Sequence, residues 1–131
     1  MGASLAFDPG PALTEEQKLD GLIAGLKHYA EAGVDFLEIN ESCPNTEESA
    51  TGHSERDDLA HLESRLTQIR DRFLDRRGSS IPVLVKLSND ADPADVPRIV
   101  DLVSGLGFAG LNFGNTSPAY AAPRLVVTSC V

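Results

Sequence analysis

The sequence has 131 residues, of which 20 are acidic and 11 are basic, so the formal net charge at pH 7 is −9. Such a charge repels a phosphate backbone, which excludes a general nucleic-acid binder. With 41% hydrophobic and 24% charged residues, the composition is typical of a soluble globular domain rather than a disordered chain. No apolar run approaches the roughly 18 to 20 residues of a membrane span, and residues 1–11 lack the features of a signal peptide. We therefore expect one domain, residues 1–131, in the cytoplasm.

Three segments have apolar residues at the spacing of an amphipathic helix. The first, residues 14–32, opens with a capping box in which Thr14 and Gln17 would satisfy each other's backbone N–H groups. Gly33 follows directly and predicts the end of this helix.

The other two predicted helices cover residues 57–77 and 93–106. For the third helix, Asp92 is predicted as the cap and Pro93 as the first helical residue. The second helix ends in four arginines, which we interpret as cations placed against a helix C-terminus rather than as a nucleic-acid patch: Arg70, Arg72, Arg76 and Arg77.

Short apolar segments typical of buried strands lie between the helices. They are residues 34–40, which read as buried on most sides, 81–87 and 109–113, and residues 3–7 are a fourth candidate. Strands that alternate with helices predict an α/β fold with a parallel sheet and crossover helices.

Polar side chains follow three of the predicted strands. Because the carboxyl ends of parallel strands meet at one edge of a sheet, where α/β proteins bind their ligands, these side chains are candidate site residues. Three amides, a thiol, a lysine and a threonine meet this condition: Asn40, Cys43, Asn45, Lys86, Asn115 and Thr116.

Each of these residues also has a simpler structural explanation. Lys86, in an apolar strand, either buries a cation that needs a partner, or extends to water or pairs with Asp90. Cys43 is a lone loop thiol, which is more often incidental than reactive, and asparagine is common in turns. The histidines lack metal-ligand spacing, so we predict no metal site and expect all three at the surface: His28, His53 and His61.

Three motifs, in this order along the chain, resemble the dihydroorotate dehydrogenase family. They are residues 40–46 (Asn-Glu-Ser-Cys-Pro-Asn-Thr), 83–87 (Val-Leu-Val-Lys-Leu) and 115–117 (Asn-Thr-Ser). The resemblance extends over about residues 14–117. It implies an FMN-containing TIM (β/α)₈ barrel that oxidises dihydroorotate to orotate in pyrimidine biosynthesis. A related flavin barrel, dihydropyrimidine dehydrogenase, shares the Ser-Cys-Pro element, but the Asn-Thr pair after the proline favours the dihydroorotate enzymes.

The resemblance also implies a role for each candidate residue. Cys43 would be the base that removes the proton from C5 of dihydroorotate while the hydride from C6 passes to FMN. Lys86 would lie beside the pyrimidine ring of the flavin, and Gly114 would present backbone to FMN. Asn40 would contact both FMN and substrate, and the substrate would be held by four residues: Asn40, Asn45, Asn115 and Thr116.

Some features depart from the family pattern. A complete barrel takes about 250 residues, so 131 residues correspond to about half a barrel, namely strands three to six. The stretch 6–10 lacks the asparagine with which the family contacts FMN after strand three, and the tail 121–131 does not resemble the family.

These departures leave two alternatives to the dehydrogenase. One is a flavin-free half-barrel that acts as an assembly module, and the other is a related FMN barrel that reduces another pyrimidine or an enoate. An incomplete sheet also predicts association, as a homo-oligomer or with a complementing barrel half, because its edges are unpaired. The electron acceptor stays open among quinone, fumarate and nicotinamide.

Overall fold

The computed structural model describes residues 1–8, 10, 12–41, 55–76, 80–88 and 91–114. In chain order the elements are β1 (Gly2–Ala6), α1 (Glu15–Glu31), β2 (Phe36–Asn40), α2 (Glu55–Arg72), β3 (Val83–Leu87), α3 (Val96–Gly105) and β4 (Gly110–Phe113). A short 3₁₀ helix, Leu74–Arg76, follows α2. The strands pair in the order β1-β2-β3-β4, and all three pairings are parallel. The predicted parallel α/β arrangement is confirmed, and the strand limits agree with the predicted ones within two residues.

The sheet is buried on one face. The spatial order of the four parallel strands is the same as their order along the chain. When such strands are joined by right-handed crossovers, all the connecting helices lie on the same side of the sheet. Accordingly, alternate residues of the two central strands are at most 1% exposed: Leu37, Ile39, Val83 and Val85. The helices supply the other side of the core with Leu22 and Leu26 of α1, Leu66 and Ile69 of α2, and Ile99 and Val103 of α3.

The opposite face of the sheet, which we call the open face, carries the alternate set of side chains. Within the described part of the chain these side chains are exposed or half-buried. Phe36, at the start of β2, is 40% exposed, and Glu38 and Asn40 are half-buried. The prediction that this strand is buried on most sides is therefore wrong, because the helices of the described ranges cover the side of Leu37 and Ile39 and not the side of Phe36, Glu38 and Asn40.

The predicted start and end of α1 are confirmed, the start by two hydrogen bonds and the end by the backbone conformation of Gly33. Thr14 Oγ1 accepts from the backbone N–H of Gln17 at 3.2 Å, and Gln17 Oε1 accepts from the backbone N–H of Thr14 at 2.9 Å. Gly33 has a φ of 79°, a left-handed conformation that glycine adopts without steric cost.

The start of α3 differs from the prediction. Asp92 does not cap the helix; its Oδ1 accepts from the N–H of Ala94 at 2.8 Å and forms a turn, and the helix begins at Val96. The reason is Pro97. In a helix that began at Pro93, the residue at position 97 would have to donate an N–H to the carbonyl of residue 93, and proline has none.

Arg70 and Arg72 occupy the last turn of α2, where a positive charge interacts favourably with the helix dipole. Arg72 also joins α2 to α1, because its guanidinium pairs with Glu16 at 3.0 Å and with Asp20. The hydrogen bond with Asp20 raises the pKa of Arg72 above its ordinary value. The helix covers Glu55–Arg72 rather than the predicted 57–77, and the end of the predicted range forms the 3₁₀ helix instead.

Three further sequence-based expectations concern membranes, histidines and metals. None of the helices in the described ranges is long and apolar enough to cross a bilayer. His28 and His61 are exposed, as predicted, and His53 lies outside the described residues. Over the same ranges, no three His, Cys, Asp or Glu side chains gather as a group that could hold a metal ion.

Candidate functional site

A row of four residues crosses the open face at the carboxyl end of the sheet. In the strand register, Ala6 pairs with Asn40, Asn40 with Lys86, and Lys86 with Asn112. We call these four residues the carboxyl-end row. Two of the predicted site residues, Asn40 and Lys86, thus lie side by side, because parallel pairing aligns the ends of β2 and β3.

Lys86 lies on the open face and not in the apolar core. It alternates with Val85 and Leu87, which are 0% and 8% exposed, and is itself half-buried. Among the residues that the structure describes, no carboxylate forms an ion pair with Lys86, and Asp90 lies outside them. The row therefore places Lys86 between Asn40 and Asn112 in the strand register.

Gly114 extends the site by one step beyond β4. Its backbone N–H donates to the carbonyl of Leu87 at 3.3 Å, so the chain continues along β3 past the end of the strand. The other predicted site residues lie outside the described ranges and stay predictions: Cys43, Asn45, Asn115 and Thr116.

A hydrogen-bond network lies on the open face next to the carboxyl-end row. Ser4 Oγ donates to Glu38 Oε1 at 2.8 Å, and Asn112 Nδ2 donates to Glu38 Oε2 at 3.0 Å. The carboxylate of Glu38 thereby links β1 to β4 across the sheet. We call Ser4, Glu38 and Asn112 the Glu38 network.

A buried ion pair anchors the chain where it leaves β2. The side chain of Glu41 is 3% exposed, and its Oε2 accepts from Arg65 Nε at 3.1 Å and Nη2 at 2.8 Å. The guanidinium carbon of Arg65 also lies 5.7 Å from the centre of the Phe7 ring, a cation–π distance. Because the backbone N–H of Glu41 donates to the carbonyl of Lys86 at 2.9 Å, the pair holds this part of the chain beside the carboxyl-end row.

Sequence reasoning missed both of these clusters. The signal for Glu38 and Asn112 was available, since each is a polar residue with an apolar residue on either side in a strand, and a period of two places it opposite the core. Nothing in the spacing of Glu41 and Arg65 predicts their contact. The pair depends on how α2 packs against the sheet.

The carboxyl-end row and Gly114 can hold a planar polar heterocycle. Lys86 carries a positive charge, Asn40 and Asn112 carry amide groups, and Gly114 has no side chain over its backbone. This donor set suits a ring with imide groups that becomes negatively charged on reduction, and it offers no set of metal ligands.

Replacement of Arg65 with Ala should lower the free energy of unfolding by about 3 kcal/mol, because the Glu41 carboxylate stays buried after its cation is removed. This value is at the low end for buried pairs, since Arg65 is 21% exposed. Glu41→Gln combined with Arg65→Met should recover part of the loss, because no charge is then left buried.

Urea denaturation measures this prediction. The matched control is Arg98→Ala, since the Arg98 side chain is 68% exposed and its pair with Asp95 spans 3.6 Å. An exposed pair of this kind contributes roughly 0 to 1 kcal/mol. An Arg65→Ala loss no larger than that of Arg98→Ala would contradict the buried-pair description.

Comparison with known proteins places the chain, as a sequence, in a family. Over 91 residues, or 70% of the chain, the sequence is 41% identical to the dihydroorotate dehydrogenase (quinone) of Clavibacter sepedonicus and 37% identical to that of Clavibacter michiganensis subsp. michiganensis. The protein of the same name from Haloarcula marismortui is 35% identical over 91 residues. These matches cover 24%, 24% and 23% of the three relatives, so the chain spans about a quarter of their length.

No protein-family model and no solved structure matches the chain. The family assignment therefore depends on the curated relatives, of which the three named above carry the same enzyme name, and it agrees with the resemblance of the three motifs. The chain belongs to the dihydroorotate dehydrogenase family, as a partial member that corresponds to about a quarter of the length of its relatives.

Proposed function

We propose that the chain forms part of an FMN-dependent dihydroorotate dehydrogenase, which oxidises dihydroorotate to orotate in cytoplasmic pyrimidine biosynthesis. The observation that carries the proposal is the placement of Lys86 between Asn40 and Asn112 at the carboxyl end of the parallel sheet. Ligand sites form at this end in parallel α/β folds, including the (β/α)₈ barrel of which we propose these strands to be a part.

FMN, when bound, would accept the hydride from C6 of dihydroorotate. Lys86 would lie beside the flavin pyrimidine ring, where its fixed charge favours the electron-rich state of that ring. Asn40 would bind both FMN and substrate, and Gly114 would contact the flavin through its backbone. Substrate contacts are proposed for three further residues: Asn45, Asn115 and Thr116.

Cys43 would act as the base that takes the proton from C5 of dihydroorotate. A thiol of ordinary pKa, about 8.5, is mostly protonated at neutral pH. The site must therefore favour the thiolate or pass the proton onward for this step to be fast.

A flavin absorbance spectrum tests the function. The purified full chain should be yellow after incubation with FMN, and anaerobic addition of dihydroorotate should bleach the flavin band. Reoxidation by quinone, fumarate or NAD⁺, each added separately, then identifies the electron acceptor. A folded, colourless protein would favour the flavin-free assembly module, and bleaching by another pyrimidine or an enoate alone would favour a related flavin barrel.

Replacement of Cys43 with Ala should leave flavin binding nearly intact and slow flavin reduction by dihydroorotate roughly 10²- to 10⁴-fold, the usual contribution of a general base. Cys43→Ser should retain partial activity, because a hydroxyl fits the same position but is a poorer base near neutral pH. Stopped-flow absorbance gives both rates. Cys130→Ala is the matched control and should change neither rate nor colour, and equal rates in Cys43→Ala and the parent would disprove the catalytic role.

We also propose that the sheet is completed by association, in a homo-oligomer or with a complementing barrel half. In the described residues, β1 and β4 each pair on one side only, and Phe36 exposes 40% of its surface on the open face. Sedimentation velocity at micromolar concentration should detect a dimer or larger species. Phe36→Ser should shift the equilibrium toward monomer, whereas Tyr29→Ser, which alters a 42% exposed residue of α1, should not. A stable monomeric parent would contradict the proposal.

A further inference from the structure

The Glu38 network fixes the direction of the Asn112 amide. Asn112 Nδ2 donates to Glu38 Oε2 at 3.0 Å, and Ser4 Oγ donates to Glu38 Oε1 at 2.8 Å. Because carboxylate oxygens of an ionised glutamate only accept hydrogen bonds, the amino group of the amide has to face Glu38 and its carbonyl oxygen has to face away. The two oxygens of the carboxylate receive donors from different strands, and it is Oε2 that accepts from Asn112.

The carbonyl oxygen of this amide lies close to the carboxyl end of the sheet. Asn112 Oδ1 is 3.5 Å from the point that a Cβ atom on Gly114 would occupy. A Cβ atom at position 114 would therefore be in van der Waals contact with this oxygen. The Cα of Lys86 pairs with that of Asn112 in the register, so the two residues occupy adjacent positions on the open face.

We propose that Asn112 is a further ligand-binding residue of this site, whose Oδ1 accepts a ring N–H of an imide heterocycle, and that Glu38 is its positioning residue. The proposal rests on the function proposed above, because both the flavin of FMN and the pyrimidine ring of orotate carry such a group. An imide presents an N–H next to a carbonyl oxygen. Asn112 carries an acceptor and its register partner Lys86 carries a cationic donor, so the two residues supply the complementary groups.

The decisive measurement compares FMN with N3-methyl-FMN, which lacks the imide N–H, by quenching of flavin fluorescence in the full chain. The parent should bind FMN about three- to tenfold more tightly than N3-methyl-FMN, which is the contribution of one neutral hydrogen bond. The quantity to compare between variants is this ratio of the two dissociation constants. In Asn112→Ala this ratio should fall toward one. A purely structural role for Asn112 would weaken the binding of both flavins equally and leave the ratio unchanged.

Two variants test the positioning role of Glu38. Glu38→Leu should lower the ratio in part, because leucine accepts no hydrogen bond from Asn112 Nδ2 and the amide of Asn112 is then free to rotate. Ser4→Ala is the matched control; it removes the bond to Oε1 and leaves the bond from Asn112 to Oε2, so the ratio should stay close to that of the parent.

A second arm compares orotate with 3-methylorotate in the protein saturated with FMN. If Asn112→Ala no longer distinguishes orotate from 3-methylorotate but still distinguishes the two flavins, the hydrogen bond is made to the substrate. If Asn112→Ala no longer distinguishes FMN from N3-methyl-FMN, the hydrogen bond is made to the cofactor. Unchanged ratios in both arms would overturn the inference and leave the proposed function intact. A parent chain that binds neither FMN nor orotate would overturn both.

Discussion

Burial of one side of the parallel sheet against three helices is the interaction on which the other features of this chain depend. Leu37, Ile39, Val83 and Val85 are at most 1% exposed, and each such side chain stabilises the fold by about 1.5 to 3 kcal/mol. A slip of one residue in the register of β2 would expose its buried pair and turn Glu38 toward the helices. Burial of an unpaired charge costs several kcal/mol, so apolar packing and charge select the same register.

That register decides which polar groups meet. Because side chains alternate along a strand, the same burial that fixes Ile39 in the core sends Glu38 and Asn40 to the open face. Parallel pairing then aligns Asn40 with Lys86. The carboxyl-end row is thus a consequence of core packing, although none of its members belongs to the core.

The two glutamates near the end of β2 are accommodated in different ways. Glu41 is inside, where Arg65 supplies two charge-assisted hydrogen bonds and the cation stacks on Phe7. Glu38 is on the open face, where it receives its hydrogen bonds from the neutral groups of Ser4 and Asn112. The first arrangement neutralises a charge and anchors the chain next to the proposed catalytic segment. The second keeps a negative charge on the face that also carries Lys86, and it restricts the Asn112 amide to one orientation.

Much of this could be predicted from the sequence. The periodicity and the capping box determined the parallel α/β order and the limits of α1, because these depend on neighbours within a few residues. The order of the motifs determined the family. The start of α3 was predicted wrongly, because the Asp92-Pro93 signal competes with the missing N–H of Pro97 four residues on.

Other features depend on the tertiary structure. Which side of the sheet the helices cover follows from the order in which the strands pair. For this reason β2, which was predicted to be buried on most sides, has one face that is not covered by the described helices. Glu41 and Arg65 are 24 residues apart and meet only because α2 packs beside the exit of β2. The Glu38 network joins side chains 34 and 74 residues apart along the chain. The sequence by itself determined which chemical groups the chain carries and which strand each occupies, because those depend on local pattern. Only the tertiary structure decided which of these groups touch, because contacts between distant residues depend on the register and packing of the whole sheet.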